Sequence, residues 1–149
     1  MEFKIEYQNA SEVMRMLEMY EELMKYNLKV ALIRTVLEGA KKIVEDCPVD
    51  TGRLRSSILG YLRNAHGIDV GGSDLFATQD GTTQSLTKIL EYSAHIGTNV
   101  NYAQAVEYRH PTKSGFFRNN IPIIDSYFQE QMQEAVTATK NGIKLVVTY

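Results

Sequence analysis

Cys47-Pro48-Val49-Asp50-Thr51-Gly52-Arg53-Leu54-Arg55-Ser56-Ser57-Ile58 is the stretch around which this chain is organised. Pro48 lacks an N–H and drives Cys47 away from helical dihedrals, so a helix arriving from the N-terminal side ends here. Asp50 and Thr51 are N-cap residues, able to accept hydrogen bonds from free N–H groups. Gly52 lets the backbone turn tightly. The chemistry predicts a rigid corner, with one helical turn through residues 53–56 and an extended run from Ser57. Taken alone, such a corner is a helix-to-strand connection of a kind found in every fold class.

Upstream, residues 11–46 carry a helical pattern. Met16, Met19, Leu23, Tyr26, Val30, Ile33, Leu37, Ala40 and Val44 are spaced alternately by three and four, a heptad-like seam. Leu17, Tyr20, Met24, Val36 and Ile43 widen it into a broad apolar face. A helix of this length runs on the order of 50 Å, longer than the roughly 30 Å width of a domain of this size. Either it bends, near Asn27, or one end projects. The seam lies across a sheet of its own domain, or part of it packs on a neighbouring subunit through the adaptable side chains of Met14, Met16 and Met19. Before the helix, residues 2–7 alternate as a half-buried strand does, and Asn9 or Ser11 offers the N-cap.

Downstream of the corner, residues 58–63 read as a strand with Gly60 as its weak point. Residues 64–86 then form a long loop with Gly67, Gly71, Gly72 and Gly81, bearing Asp69, Asp74 and Asp80 but no Lys or Arg. Loops of this length tend to be functional or disordered, so this one is either a mobile hairpin tip or a loop that orders against a partner. Residues 87–96 resume a strand, with Leu90, Tyr92, Ala94 and Ile96 facing the core and Ile89, Glu91, Ser93 and His95 facing away. The two strands predict an antiparallel hairpin closed by the long loop. Asn99 or Asn101 caps a short helix reaching Tyr108. The following loop, within 109–118, is basic: Arg109, His110, Lys113 and Arg118. In a ring of identical subunits, the acidic and basic loops are placed to meet across each interface. Ile121-Pro122 opens a last helix with Asp125 near its positive end, and Asn141-Gly142 caps it. Residues 143–149 read as a covered strand. The predicted fold is α+β: a mostly antiparallel sheet packed against one long N-terminal helix and a C-terminal helix, in a single domain over 1–149.

The 149 residues carry a net charge of −2, which speaks against a whole-domain nucleic-acid binder. Arg53, Arg55, Arg63 and Tyr61 leave room for a local patch that pairs with phosphates. No run of about 18 apolar residues predicts a membrane span, no signal peptide is visible, and the lone Cys47 makes a reducing compartment the default. His66, His95 and His110 are scattered, without the paired spacing of a metal site. Cys47 has no local base to activate it, and no phosphate-binding glycine loop is present. Neither cofactor nor metal is expected. An enzymatic alternative requires Asp50 to meet a histidine brought close by folding.

The corner also carries a resemblance. Pro48-Val49-Asp50-Thr51-Gly52-Arg53-Leu54, continuing to Ile58, resembles the hallmark of a family of small tailed-bacteriophage proteins described as minor tail, tail-completion or head–tail joining (neck) proteins. A second match runs from Ile96-Gly97-Thr98 through Tyr102, Ala103 and Glu107-Tyr108, and a third covers Phe116-Phe117-Arg118-Asn119-Asn120-Ile121. Where the family continues with Gly after the Glu and aromatic pair, this chain has Arg109-His110-Pro111. The resemblance implies a structural virion protein without catalysis that forms a ring, most commonly of six copies. Its partners would be further copies of itself, the head connector or adaptor, and the tail tube or tail terminator. DNA would pass through the ring without sequence-specific binding. The protein would reside in the virion neck or tail, and in the host cytoplasm during assembly. It implies architectural or subunit-contact roles for Pro48, Val49, Asp50, Thr51, Gly52, Arg53, Leu54, Gly97, Tyr102, Ala103 and Glu107. The alternative is a small DNA-binding or regulatory module using the local Arg and Lys residues.

Overall fold

The computed structural model describes residues 10–48, 52–66 and 87–142, with side chains described for 11–48, 52–59 and 87–142. The element order is α1 (Ala10–Asp46), α2 (Arg53–His66), β1 (Lys88–Ile89), β2 (Ala94–His95), α3 (Ala103–Arg109), a 3₁₀ turn (Arg118–Asn120) and α4 (Ile121–Gly142). The strands expected at 2–7 and 143–149 lie outside the described residues, as do Val49, Asp50, Thr51, Asp69, Asp74 and Asp80.

Helix α1 is continuous through Asn27 and runs 37 residues, roughly 55 Å. Helix α4 lies antiparallel along its C-terminal two thirds. Asn120 Nδ2 donates to Asp46 Oδ2 at 2.8 Å at one end, and Asn27 Nδ2 donates to Thr139 Oγ1 at 2.9 Å towards the other. Gly39 lets the helices and the hairpin close up: a Cβ there would stand 2.8 Å from Ile96 Cδ1 and 3.1 Å from Ile124 Cδ1. Near the far end of α4, a Cβ on Gly142 would stand 2.7 Å from Leu23 Cδ2. The turns of α1 before Leu23 outrun α4 by roughly 20 Å.

The core gathers at the C-terminal half of α1. Val36, Ala40, Ile43, Val44 and Cys47 pack with Leu54, Ile58 and Leu59 of α2, with Val100 and with Phe116. Each fully buried aliphatic or Phe side chain contributes about 1.5–3 kcal/mol. The heptad-like seam is buried where it joins this core, at Ala40 and Val44, and exposed at Met19 and Tyr26.

Two sequence expectations are corrected. Residues 58–63 form no strand; they belong to α2. Leu54, Ile58 and Leu62 recur every fourth residue, a helical period, and Leu54, Ser57 and Ile58 are buried together. A short apolar run does not separate strand from buried helix. The antiparallel pairing exists, but inside the segment read as one strand: Lys88 faces His95 and Ile89 faces Ala94. Leu90 N–H donates to Ser93 C=O at 2.7 Å, closing a turn that breaks the alternation. Ile89, Ala94 and Ile96 therefore pack on the core, whereas Leu90 and Tyr92 are exposed. Helices make up 74% of the described residues, so the fold is helical with a small two-stranded sheet, compatible with α+β but not mostly sheet.

Candidate functional site

The corner at the end of α1 is held from both sides. Arg55 donates from Nε and Nη2 to Cys47 C=O at 3.1 and 2.6 Å, satisfying a carbonyl at the end of the helix. Gly52 has φ +73°, a backbone region that favours glycine, and Ser56 N–H donates to its carbonyl at 2.9 Å. Pro48 is half-buried, Arg53 opens α2, and Leu54 is buried in the core. The Arg55 guanidinium is thus spoken for within the fold, and it is one of three arginines on which the DNA-binding alternative relied; the side chain of Arg63 lies outside the described set.

The segment following β2 docks on this corner. Ser57 Oγ shares a short hydrogen bond with Thr98 Oγ1. Thr87 Oγ1 accepts from Gly97 N–H at 3.1 Å and donates to Gly97 C=O at 3.3 Å. Ala103 and Val106 pack against the core from α3, and Tyr102, at its N-terminus, is partly exposed.

Glu107 is the buried polar residue of α3. Its Oε2 accepts from Phe117 N–H at 2.9 Å and its Oε1 from Arg118 N–H at 3.0 Å, while its carbonyl accepts from Gly115 N–H at 2.7 Å. A carboxylate seated on free N–H groups at the start of a helical segment satisfies them and complements the dipole. Arg118 Nε lies 3.8 Å from Glu107 Oε1, and its guanidinium sits over the Tyr108 ring at 5.3 Å. Arg109 ends α3, and Lys113 lies in the turns after it; both are exposed. His110 Nδ1 accepts from Thr112 and Lys113 N–H, tightening the basic loop. The acidic loop expected to face this one across an interface lies outside the described residues.

Cys47 is fully buried and burial pushes its thiol up to about 11, against a smaller opposing pull from Arg55. A thiol so placed stays protonated near neutral pH and packs as a small apolar residue. Among the described residues no group of three His, Cys, Asp or Glu is arranged to hold a metal ion, and no helix is long and apolar enough to cross a membrane.

Two surfaces were not legible as a pair from sequence. The first is the overhanging N-terminal part of α1, where Val13, Met14, Leu17 and Met19 are each more than half exposed. The second is a groove of about 510 Å³ between α1, the hairpin and α4, lined by Leu32, Val36, Tyr92, Ile96, Ile121 and Phe128 among others. Among the described residues, Asp125 is its one charged lining residue. The exposed Ile121 at the head of α4 and the displaced Tyr92 form its rim. No known protein-family model, curated protein or solved structure matches the chain.

Proposed function

We propose that this chain is a non-enzymatic structural component of a tailed-phage or prophage virion, a ring-forming tail-completion or head–tail joining protein. One observation carries the reading. The three segments that resemble that family are distant in sequence, yet they pack as one unit. Ser57 with Thr98 joins the first to the second, Glu107 with the Phe117 and Arg118 N–H groups joins the second to the third, and Asp46 with Asn120 ties the third to the end of α1. Pro48, Leu54, Ala103 and Glu107 act as architecture in this arrangement, and the apolar end of α1 is left available to other copies. The protein's work is then binding: copies of itself, the head connector or adaptor, and the tail tube or terminator, around a channel through which DNA passes.

Negative-stain imaging of the purified protein, and of particles made with and without it, tests the reading. Rings at the head–tail junction or tail end are expected, with unjoined heads and tails when the protein is missing. Normally joined particles assembled without it would reject the proposal.

A further inference from the structure

One wall of the groove beside α4 is a sheet edge. β2 and the turn before it contribute Tyr92, Ser93, Ala94 and Ile96 to the lining, and the described residues of β1 contribute none. Lys88 faces His95 and Ile89 faces Ala94, and the bond from Leu90 N–H to Ser93 C=O sets the phase of the ladder. Opposed residues of an antiparallel pair alternately exchange hydrogen bonds and turn their backbone groups outward. Ser93 and His95 therefore bond towards β1, and the N–H and C=O of Ala94 point to the outer edge, where no described residue bonds to them. A pair of two-residue strands is marginal by itself in water, and an open edge of this kind is a template for a further strand.

Reach selects the strand. The position of Gly142 touches Leu23 of α1, where a Cβ would stand 2.7 Å from Leu23 Cδ2. From the level of Leu23 to that of Val36, in the floor of the groove, is about 20 Å along α1. The seven residues 143–149 that follow α4 span about 23–25 Å when extended. Residues 1–9 span at most about 32 Å and begin at Ala10, about 39 Å from Val36. They fall short, whereas residues 143–149 cover the distance. Patterning agrees with reach. Ile143, Leu145, Val147 and Tyr149 alternate with Lys144, Val146 and Thr148, the period of a strand with one face covered. Direction agrees too. β2 runs from Tyr92, whose hydroxyl bonds to Glu91 and lies near Lys25, to Ile96, whose Cδ1 lies at Gly39. A segment leaving Gly142 towards the groove runs the same way, and parallel neighbours are joined through helices, as β2 is joined to residue 143 through α3 and α4.

We propose that residues 143–149 lie in the groove of their own molecule as a third strand, parallel to β2, with Ile143, Leu145, Val147 and Tyr149 turned onto α1 and α4 and with Lys144, Val146 and Thr148 turned to solvent. The proposal goes beyond the virion reading and does not depend on it. It fills the groove from within, so that the apolar face left for other molecules is the start of α1, at Val13, Met14 and Leu17.

The test uses the full chain carrying Ser93→Cys and Thr148→Cys. Ser93 is exposed at the groove, and the native Cys47 is buried and does not compete. The dilute protein is treated with a short bis-maleimide and digested, and the bridged peptides are read by mass spectrometry. The expected product is a bridge from 93 to 148 within one chain. Adding Leu145→Asp and Val147→Asp should abolish most of it. The same two changes, in a chain without the added cysteines, should speed hydrogen exchange of the Ala94 amide about tenfold or more. Absence of the bridge overturns the proposal, and this outcome does not depend on how the aspartate variants fold. So does a bridge that forms equally well from Ser93→Cys to Thr78→Cys, which would put the connection between α2 and β1 in the groove. A bridge that forms only between chains, when the two single-cysteine variants are mixed, would assign the groove to another copy and also reject it.

Discussion

Replacing Glu107 tests the joint between the second and third segments. Its carboxylate accepts two backbone N–H hydrogen bonds, at 2.9 and 3.0 Å, in a buried setting. Hydrogen bonds to a charged group contribute about 1.5–3 kcal/mol each, but water reaches part of what a truncation releases, and measured losses of a helix cap are about 0.5–2 kcal/mol. For Glu107→Ala we expect a net loss of about 2–3 kcal/mol, a large fraction of the roughly 5–15 kcal/mol that holds a domain folded. The ion pair with Arg118 is a small part of this. It spans 3.8 Å and the Arg118 side chain is 57% exposed, so Arg118→Ala should cost under about 1 kcal/mol. Glu107→Gln keeps one acceptor oxygen and should fall between. Urea unfolding followed by far-ultraviolet circular dichroism reads the difference. With a slope of about 2 kcal/mol/M, the Glu107→Ala midpoint should drop by about 1–1.5 M. Equal midpoints for Glu107→Ala and Arg118→Ala would refute the argument, because they would mean that the backbone N–H groups do not depend on the carboxylate.

Two further outcomes follow from the corner. Cys47 should react with a thiol reagent at pH 8 far more slowly in the native protein than in urea; equal rates would contradict its burial. The sign of its pH effect is set by the upward displacement from about 9 to about 11. The neutral thiol is the form favoured by folding, so its contribution is complete below pH 9 and is lost as pH rises from 9 towards 11. Gly52 and Gly115 both have positive φ, +73° and +78°. An alanine at Gly52 meets nothing within 4 Å among the described residues and should cost only backbone strain, about 1 kcal/mol, whereas at Gly115 the added Cβ falls 2.6 Å from Asn119 Nδ2 and should cost about 2 kcal/mol. Equal urea midpoints for Gly52→Ala and Gly115→Ala would show that Asn119 yields freely.

The sequence by itself determined the elements with strong local signals. The 37 residues of α1 follow from uninterrupted periodicity closed by Pro48, and the start of α4 follows from Ile121-Pro122, because caps and prolines act within a few residues whatever surrounds them. Residues 58–63 and 87–96 were different. Each is a short apolar run compatible with both helix and strand, and the choice fell to packing: Leu54, Ser57 and Ile58 gained burial against α1 as a helix, while the turn at Leu90–Ser93 folded the second run on itself. The closeness of Glu107 to Phe117 and Arg118, of Ser57 to Thr98, and of Asp46 to Asn120 was likewise beyond reading from the chain, because residues up to 74 positions apart meet only when the whole core closes. Local periodicity can say which face of a helix is apolar. Only the tertiary structure decides which part of that face the rest of the molecule covers, and here the described residues leave the first turns of α1 and the groove beside α4 uncovered.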